Sequence, residues 1–506
     1  MKAEQFLSHH GVAENPFSQE DAGSDHLFLS RPASTRHPAW DKIAGDPSNP
    51  STAVVFGEKG SGKTALRHQL AASLAEHNLR QTAGGEGGKT FVIHYDDFNP
   101  FLDSFRDTLP GRHKKPEKAL AKWRTVDHMD SVLALGVGRL VRSSLEAGGS
   151  REEEGPAILQ GDLDKLERRH KRDLLLLAAL YDHSLDEAPE SRFERLRAKL
   201  GFPVLLNQWD FWLGVGGTIL VLLIAFSYGS IREIGSWWYW AALPILLLWL
   251  PVTIRQIGLW NASRKVTSSL KVLDRRPGPL RKILSRFSRR DLSGQPLPTG
   301  DATDARYELL LKFQNVLKRL GFSGVLVLVD RVDEPHLING SPERMKEFLW
   351  PLFDNKFLRH PGLGFKLLLP AEVRHYLNRE DRGFYERSRL DKQNMVPNLE
   401  WTGESLYDIA EDRLRACARS SQTGGKKVSL TDLFDESVSR DELTRQFARL
   451  RVPRHLFKFL YRLIVEHCGR YPAEAPKWTI GRETLDSTFQ LFLRDLDAFD
   501  RGMGTG

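Results

Sequence analysis

Hydrophobic positions in this 506-residue chain fall into three kinds of run. The first kind is short and unbroken. Thr52–Phe56 and Val325–Val329 read as strands buried in a parallel sheet, with Phe91–Tyr95 and Gly364–Leu369 as further core strands. The second kind recurs at helical spacing. Leu66, Leu70 and Leu74 stand four apart and predict a helix over Thr64–Leu79 with one face on the sheet. Similar patterns predict helices over Trp123–Leu145, Asp162–Tyr181, Asp304–Leu320 and Leu456–His467, the last within a mostly helical stretch, Glu400–Asp500. Leu174–Leu180 is apolar throughout but too short to cross a bilayer, and is assigned to a helix core.

The third kind is long. Phe211–Tyr228 and Trp237–Ile254 each run 18 residues without a charge. At 1.5 Å per residue such a helix reaches about 27 Å, close to the hydrocarbon thickness of a bilayer. Only Gly229–Ser236 separates the two, which suits a hairpin turning at the far face. Seven of the twelve tryptophans lie between Trp209 and Trp260, as expected of rings that settle at membrane interfaces. Arg192, Arg195, Arg197 and Lys199 precede the pair, and Arg255, Arg264, Lys265, Lys271, Arg275 and Arg276 follow it. The turn carries only Arg232, beside Glu233. The positive-inside rule then predicts a multi-pass protein of the cytoplasmic (inner) membrane with two spans and both termini cytoplasmic. Pro244 and Pro251 fall inside the second span, where membrane helices tolerate them. Met1–Phe17 lacks the apolar run of a secretory signal, in keeping with that orientation.

Candidate chemistry begins just after the first strand. Gly57-Glu58-Lys59-Gly60-Ser61-Gly62-Lys63-Thr64 satisfies GxxxxGK[ST] at every fixed position. Its glycines let the backbone curl until successive N–H groups face phosphate oxygens. Lys63 is expected to bring charge to the β- and γ-phosphates, and the Thr64 hydroxyl to ligate Mg²⁺. The helix that opens at Thr64 and Ala65 adds its N-terminal partial charge behind them. The other half of such a site is expected far downstream, where Val325–Val329 runs into Asp330-Arg331-Val332-Asp333-Glu334. A carboxylate at the C-terminal end of a parallel strand reaches the phosphate loop, which makes Asp330 the metal residue. Asp333 and Glu334 are the candidates for orienting or deprotonating the attacking water. The membrane hairpin is thus inserted between two halves of one nucleotide domain.

The expected order of parts is an N-terminal portion of the core over 1–99, a cytoplasmic helical insert over 100–208 and the hairpin over 209–256. A basic juxtamembrane segment and linker follow over 257–303, then the C-terminal portion of the core over 304–399 and a helical lid over 400–506. The formal net charge of +8 suits nucleic acid, an anionic membrane face or a polyphosphate ligand. The basic segment Lys265–Arg290 lies just cytoplasmic of a span, which favours anionic lipid headgroups over nucleic acid, and no DNA-reading element is recognisable. Cys417 and Cys468, without a CxxC or histidine pattern around them, read as core thiols in a reducing compartment.

With both nucleotide motifs placed, the chain resembles the KAP family of P-loop NTPases, which carry transmembrane helices between the phosphate loop and the metal-binding strand. The Asp330-Arg-Val-Asp333-Glu334 ending is also similar to the strand motif of NACHT-type signalling NTPases. Both belong to the STAND group, which resembles AAA+ enzymes in having a helical lid after an α/β P-loop core. The resemblance spans Asn15 to His467, with specificity only in the two motifs. It implies ATP and Mg²⁺ as ligands and a homo-oligomer acting in signalling or defence. It further implies that Pro453 packs on adenine and Arg454 senses phosphate, although Arg451-Val-Pro453-Arg454-His455 also suits an ordinary helix start. Asn15-Pro16-Phe17 would border the adenine, and Arg387 and Arg389 lie where an arginine finger is placed in such families or on a plain exposed face.

Two departures matter. Many family members carry a second acid where this chain has Arg331, and Pro370, Ala371 and Glu372 stand where a polar sensor is kept. The identity of the catalytic acid therefore stays open, and two functions are expected. One is a membrane-anchored, Mg²⁺-dependent ATPase driving a conformational or assembly switch. The other is a non-hydrolysing, nucleotide-bound switch whose hairpin is the effector in an oligomer.

Overall fold

The computed structural model describes residues 1–506 apart from 20–22, 24, 26–34, 83, 85–87, 147–159, 185–186, 203–208, 230–236, 419–427 and 501–506. Five strands form one all-parallel sheet: β1 (Ala53–Gly57), β2 (Lys89–Tyr95), β3 (Phe322–Val329), β4 (Leu363–Pro370) and β5 (Asn394–Val396). Their order is β2-β3-β4-β1-β5. The four expected strands all form, within three residues of their expected ends. β5 escapes notice in the sequence because three residues are too few to show a period. β1 and β4 are buried along their whole length, which is why their runs are unbroken. They pair in register from Ala53 opposite Lys366 to Gly57 opposite Pro370.

The chain divides into two compact units. The first comprises Met1–His77, Leu328–Glu334 and Leu363–Gly506. Besides β1, β4 and β5 it holds the helices Gly403–Ala416, Arg440–Ala448, Pro453–Arg470 and Arg482–Asp500. These close around Phe447, Phe459, Leu463 and Phe489. The first helix of the chain, Ala3–His9, joins this same core through Phe6 and Leu7. The N-terminal ammonium donates to the Tyr471 carbonyl at 2.7 Å, and Ala13 N–H to Cys417 O at 2.8 Å. Residues expected to belong with the strands thus pack inside the helical C-terminal part. Cys417 and Cys468 are buried there as free thiols.

The second unit comprises Asn78–Val327 and Pro335–Gly362. The stretch expected as one helix over Asp162–Tyr181 is two, Gln160–Asp164 and Arg168–Tyr181. Leu163 and Leu166 both turn inward, and the chain bends between them and Arg168, with Glu167 extended. Arg306, on the helix Asp304–Arg319, is only 1% exposed and pairs with Asp130 of the helix Thr125–Leu145 at 3.1 Å. The Tyr181 hydroxyl donates to Asp130 at 2.8 Å. Arg306 Nη2 also donates to Ser269 Oγ at 2.7 Å, and Ser269 Oγ donates to Gly300 O at 3.0 Å. Buried charges of this kind persist only when such partners saturate them.

Ser269 is the last residue of the long apolar helix Trp237–Ser269, which carries Pro244 and Pro251 inside it and continues well beyond Ile254. The preceding apolar helix, Trp209–Gly229, lies against it. Trp249 Nε1 donates to Thr218 Oγ1 at 2.9 Å, and a Cβ on Gly217 would stand 2.8 Å from Leu248 Cδ1, the close approach that small residues permit. Their other faces leave Leu220, Leu223, Phe226, Leu246, Leu247 and Ile254 exposed. Among the described residues Ala242–Ser269 is long and apolar enough to cross a membrane, whereas Phe211–Ser227 is apolar but shorter. The turn with Arg232 and Glu233 lies outside the described residues.

His128 is fully buried in the helix Thr125–Leu145, its Nε2–H donating to Phe348 O at 2.8 Å and its Nδ1 accepting from Tyr95 Oη at 3.0 Å. Burial pushes its pKa down from 6.5 to about 4. Below pH 6.5 the unfolded chain takes a proton that the fold refuses until pH 4, so stability falls across that window, by up to about 3 kcal/mol. Asp127, pushed up to about 7 by burial, works in the opposite sense, so the difference between proteins is what isolates the histidine. The stability advantage of wild type over His128→Asn, measured by thermal unfolding in detergent, should shrink steadily from pH 7 to pH 4.5.

Candidate functional site

The loop from Gly57 to Thr64 joins β1 to the helix Lys63–Thr82 and turns through left-handed backbone at Gly60 (φ 87°) and Gly62 (φ 91°). Gly60 is needed for space as well, because a Cβ there would stand 2.7 Å from Arg454 Cβ. Lys63 Nζ reaches back and donates to Gly57 O at 2.8 Å and Glu58 O at 3.0 Å, tying the loop across its mouth. Burial pulls the Lys63 pKa down, while Asp333, Asp330 and Glu372 support its charge and Arg454 opposes it.

Asp330 follows the last residue of β3 and is buried. It accepts from Thr64 Oγ1 at 2.9 Å and lies 3.5 Å from Arg67 Nε. Burial raises its pKa against the pull of Arg67, the Thr64 hydroxyl and the Arg331 N–H. Arg67, which the motifs do not mark, stands three residues after Thr64 and so shares its helix face. Arg331 adopts left-handed backbone (φ 57°), and its Nε lies 3.7 Å from Glu334 Oε1. The residue that replaces a second acid therefore partners Glu334.

These groups line one cavity of about 250 Å³. The loop and its helix supply Lys59, Gly60, Gly62, Lys63, Thr64 and Ala65, and the chain beyond β3 supplies Asp330, Arg331, Asp333 and Glu334. Glu372 enters from beyond β4, and Pro453 and Arg454 from the start of the helix Pro453–Arg470. Gly57, Glu58 and Ser61 shape the loop instead of lining it: the first two accept from Lys63, and Ser61 O accepts from Trp401 Nε1 at 2.8 Å. Arg387 and Arg389 are exposed and are not among the lining residues.

The cavity's other end comes from residues that sequence reasoning missed. Trp401 meets His37 edge to face, with centroids 4.8 Å apart, while His37 Nε2–H donates to Glu400 O at 2.8 Å. Arg413 pairs with buried Asp25 at 2.6 Å and holds its guanidinium 4.4 Å from the Phe457 ring centroid. Asn15-Pro16-Phe17 stands one layer behind: Pro16 O accepts from Arg413 at 2.7 Å, and Phe17 stacks on Phe457. No spacing rule could have joined residues 25, 37, 401, 413 and 457, because only the fold brings them together.

The donor set suits a polyphosphate. Arg454 Nε and Ser61 Oγ are buried without a hydrogen-bond partner among the described residues, so the loop end holds donors in want of acceptors. Among the described residues no group of three or more His, Cys, Asp or Glu could hold a metal. Mg²⁺ at phosphate sites takes only one or two protein carboxylates beside the phosphates, and the Asp330 carboxylate with the Thr64 hydroxyl next to it fits that need. Compared with family models, curated proteins and solved structures, the chain matches none. Gly60→Ala should cost about 1–3 kcal/mol of stability, since it forces a side chain into left-handed backbone and against Arg454. Should the cavity take a polyphosphate, this variant's affinity for it, read by titration calorimetry, should be at least roughly tenfold lower as Arg454 and the loop are displaced.

Proposed function

We propose that this chain is a membrane-anchored, Mg²⁺-dependent NTPase that hydrolyses ATP to ADP and phosphate to drive a conformational or assembly switch, of the kind the KAP resemblance implies. The convergence of Lys63, Thr64, Asp330 and Arg454 on one cavity supports this reading most. Lys63 would exchange the Gly57 and Glu58 carbonyls for phosphate oxygens, and Arg454 Nε would gain an acceptor. Mg²⁺, held by Thr64 and Asp330, would neutralise charge on the β- and γ-phosphates. Water attacks the γ-phosphorus, the bond to the β-phosphate oxygen breaks, and a carboxylate takes the water's proton. Asp333 suits that last role better than Glu334, because it faces the Lys63 charge whereas Glu334 is paired with Arg331.

The exposed apolar faces of Trp209–Gly229 and Trp237–Ser269 support a two-span hairpin in the inner membrane with cytoplasmic termini. Within the adjoining basic segment Lys282 pairs with Glu190 and Arg286 with Glu194, which leaves Arg276, Arg281, Arg289 and Arg290 to meet anionic headgroups. The second reading, a nucleotide-bound switch that assembles as a homo-oligomer without turnover, draws on the approach of Arg331 to Glu334 at 3.7 Å.

Phosphate release by the purified protein in nanodiscs should fall at least about a hundredfold in Lys63→Ala and Asp330→Asn. Asp333→Asn should lose turnover while keeping bound nucleotide. Absent turnover in wild type, with nucleotide retained and Lys63→Ala empty, would decide for the switch. In membranes washed at alkaline pH the full chain should stay in the pellet. Its release as soluble protein would exclude the two-span anchor.

A further inference from the structure

The register of β1 on β4 places Pro370 opposite Gly57, the first residue of the loop. β4 lies between β3 and β1 in the sheet, so the chain leaving β4 emerges between Asp330 and the loop that carries Lys63. Glu372 is the second residue after that exit and lines the same cavity. It is exposed to solvent within the cavity mouth, and among the described residues it makes neither a hydrogen bond nor an ion pair. The other carboxylates have tasks: Asp330 is held by Thr64 and Arg67, Glu334 by Arg331, and Asp333 is the proton acceptor above. Glu372 brings negative charge into the cavity, where its field reaches Lys63 together with those of Asp333 and Asp330, and no hydrogen bond or close ion pair ties it to one partner among the described residues.

Resting on the nucleotide reading above, we propose that Glu372 is a specificity residue that disfavours a nucleoside triphosphate relative to a diphosphate until a divalent cation offsets the repulsion. A γ-phosphate drawn toward Lys63 adds charge beside this carboxylate, whereas a diphosphate ends one group earlier and meets less of it. Like charges at such range repel, and salt and exposure weaken the repulsion without removing it. Free of Mg²⁺, the resting protein would then hold diphosphate in preference. Only the metal complex of the triphosphate would enter on equal terms.

The test is the pair of dissociation constants for ATP and ADP, measured on the full chain in detergent with chelator and again with Mg²⁺. Removing the charge in Glu372→Gln should tighten metal-free ATP roughly five- to tenfold, with ADP shifted less than about twofold. That gain should shrink with Mg²⁺ and at high salt. Glu372→Asp keeps the charge and should keep the wild-type ratio of the two constants, which separates charge from any general effect on folding. An unchanged ratio in Glu372→Gln, or looser ATP binding, would overturn the assignment. Should Lys63→Ala bind both nucleotides as wild type does, the nucleotide reading itself fails, a result distinct from an unaltered ratio in a protein that binds through Lys63.

Discussion

Thr64 Oγ1 and Asp330 Oδ2 are 266 residues apart in sequence and 2.9 Å apart in space. Their meeting requires that β1 and β3, far apart in the chain, lie parallel, so that both leave the sheet at the same edge. Parallel pairing demands a crossover connection, and the entropic cost of lengthening that connection grows only slowly. The chain uses that freedom to place the apolar helices and their companions between β2 and β3 without disturbing the ends that matter. Lys63 completes the arrangement by holding the loop closed on its own carbonyls. The concave shape is therefore made by the protein itself.

The second constraint is the bond from Trp401 to Ser61 O, which seats the C-terminal helices against the loop. Arg454, set against Gly60, belongs to those same helices. Because Phe6, Leu7 and Phe17 fill their core, the opening residues of the chain help position the side chains that meet the loop. A displacement of that helical part would move Pro453 and Arg454 together, and with them one wall of the cavity.

How much of this was legible beforehand follows from the range of each signal. β1, β3 and β4 were readable because burial on both faces leaves unbroken apolar runs. The loop was readable because backbone curvature dictates glycines at fixed spacing. Lys63, Thr64 and Asp330 could be named because each follows directly from a strand or loop end, and the structure brings them together with Asp333, Pro453 and Arg454. Arg67, Trp401 and Arg413 could not, since each meets its partner from far away in the chain. Adjacency in sequence left Asp333 and Glu334 level as candidate acids. The left-handed turn at Arg331, which no residue type announces, brings its guanidinium to 3.7 Å from Glu334.

The apolar helix Trp237–Ser269 ends on a hydroxyl that receives Arg306 and gives to Gly300. Sliding this helix by one turn, about 5.4 Å, would strip a buried guanidinium of that contact. The helix Trp237–Ser269 is thus anchored at its last residue to the buried Asp130–Arg306 pair of its own unit.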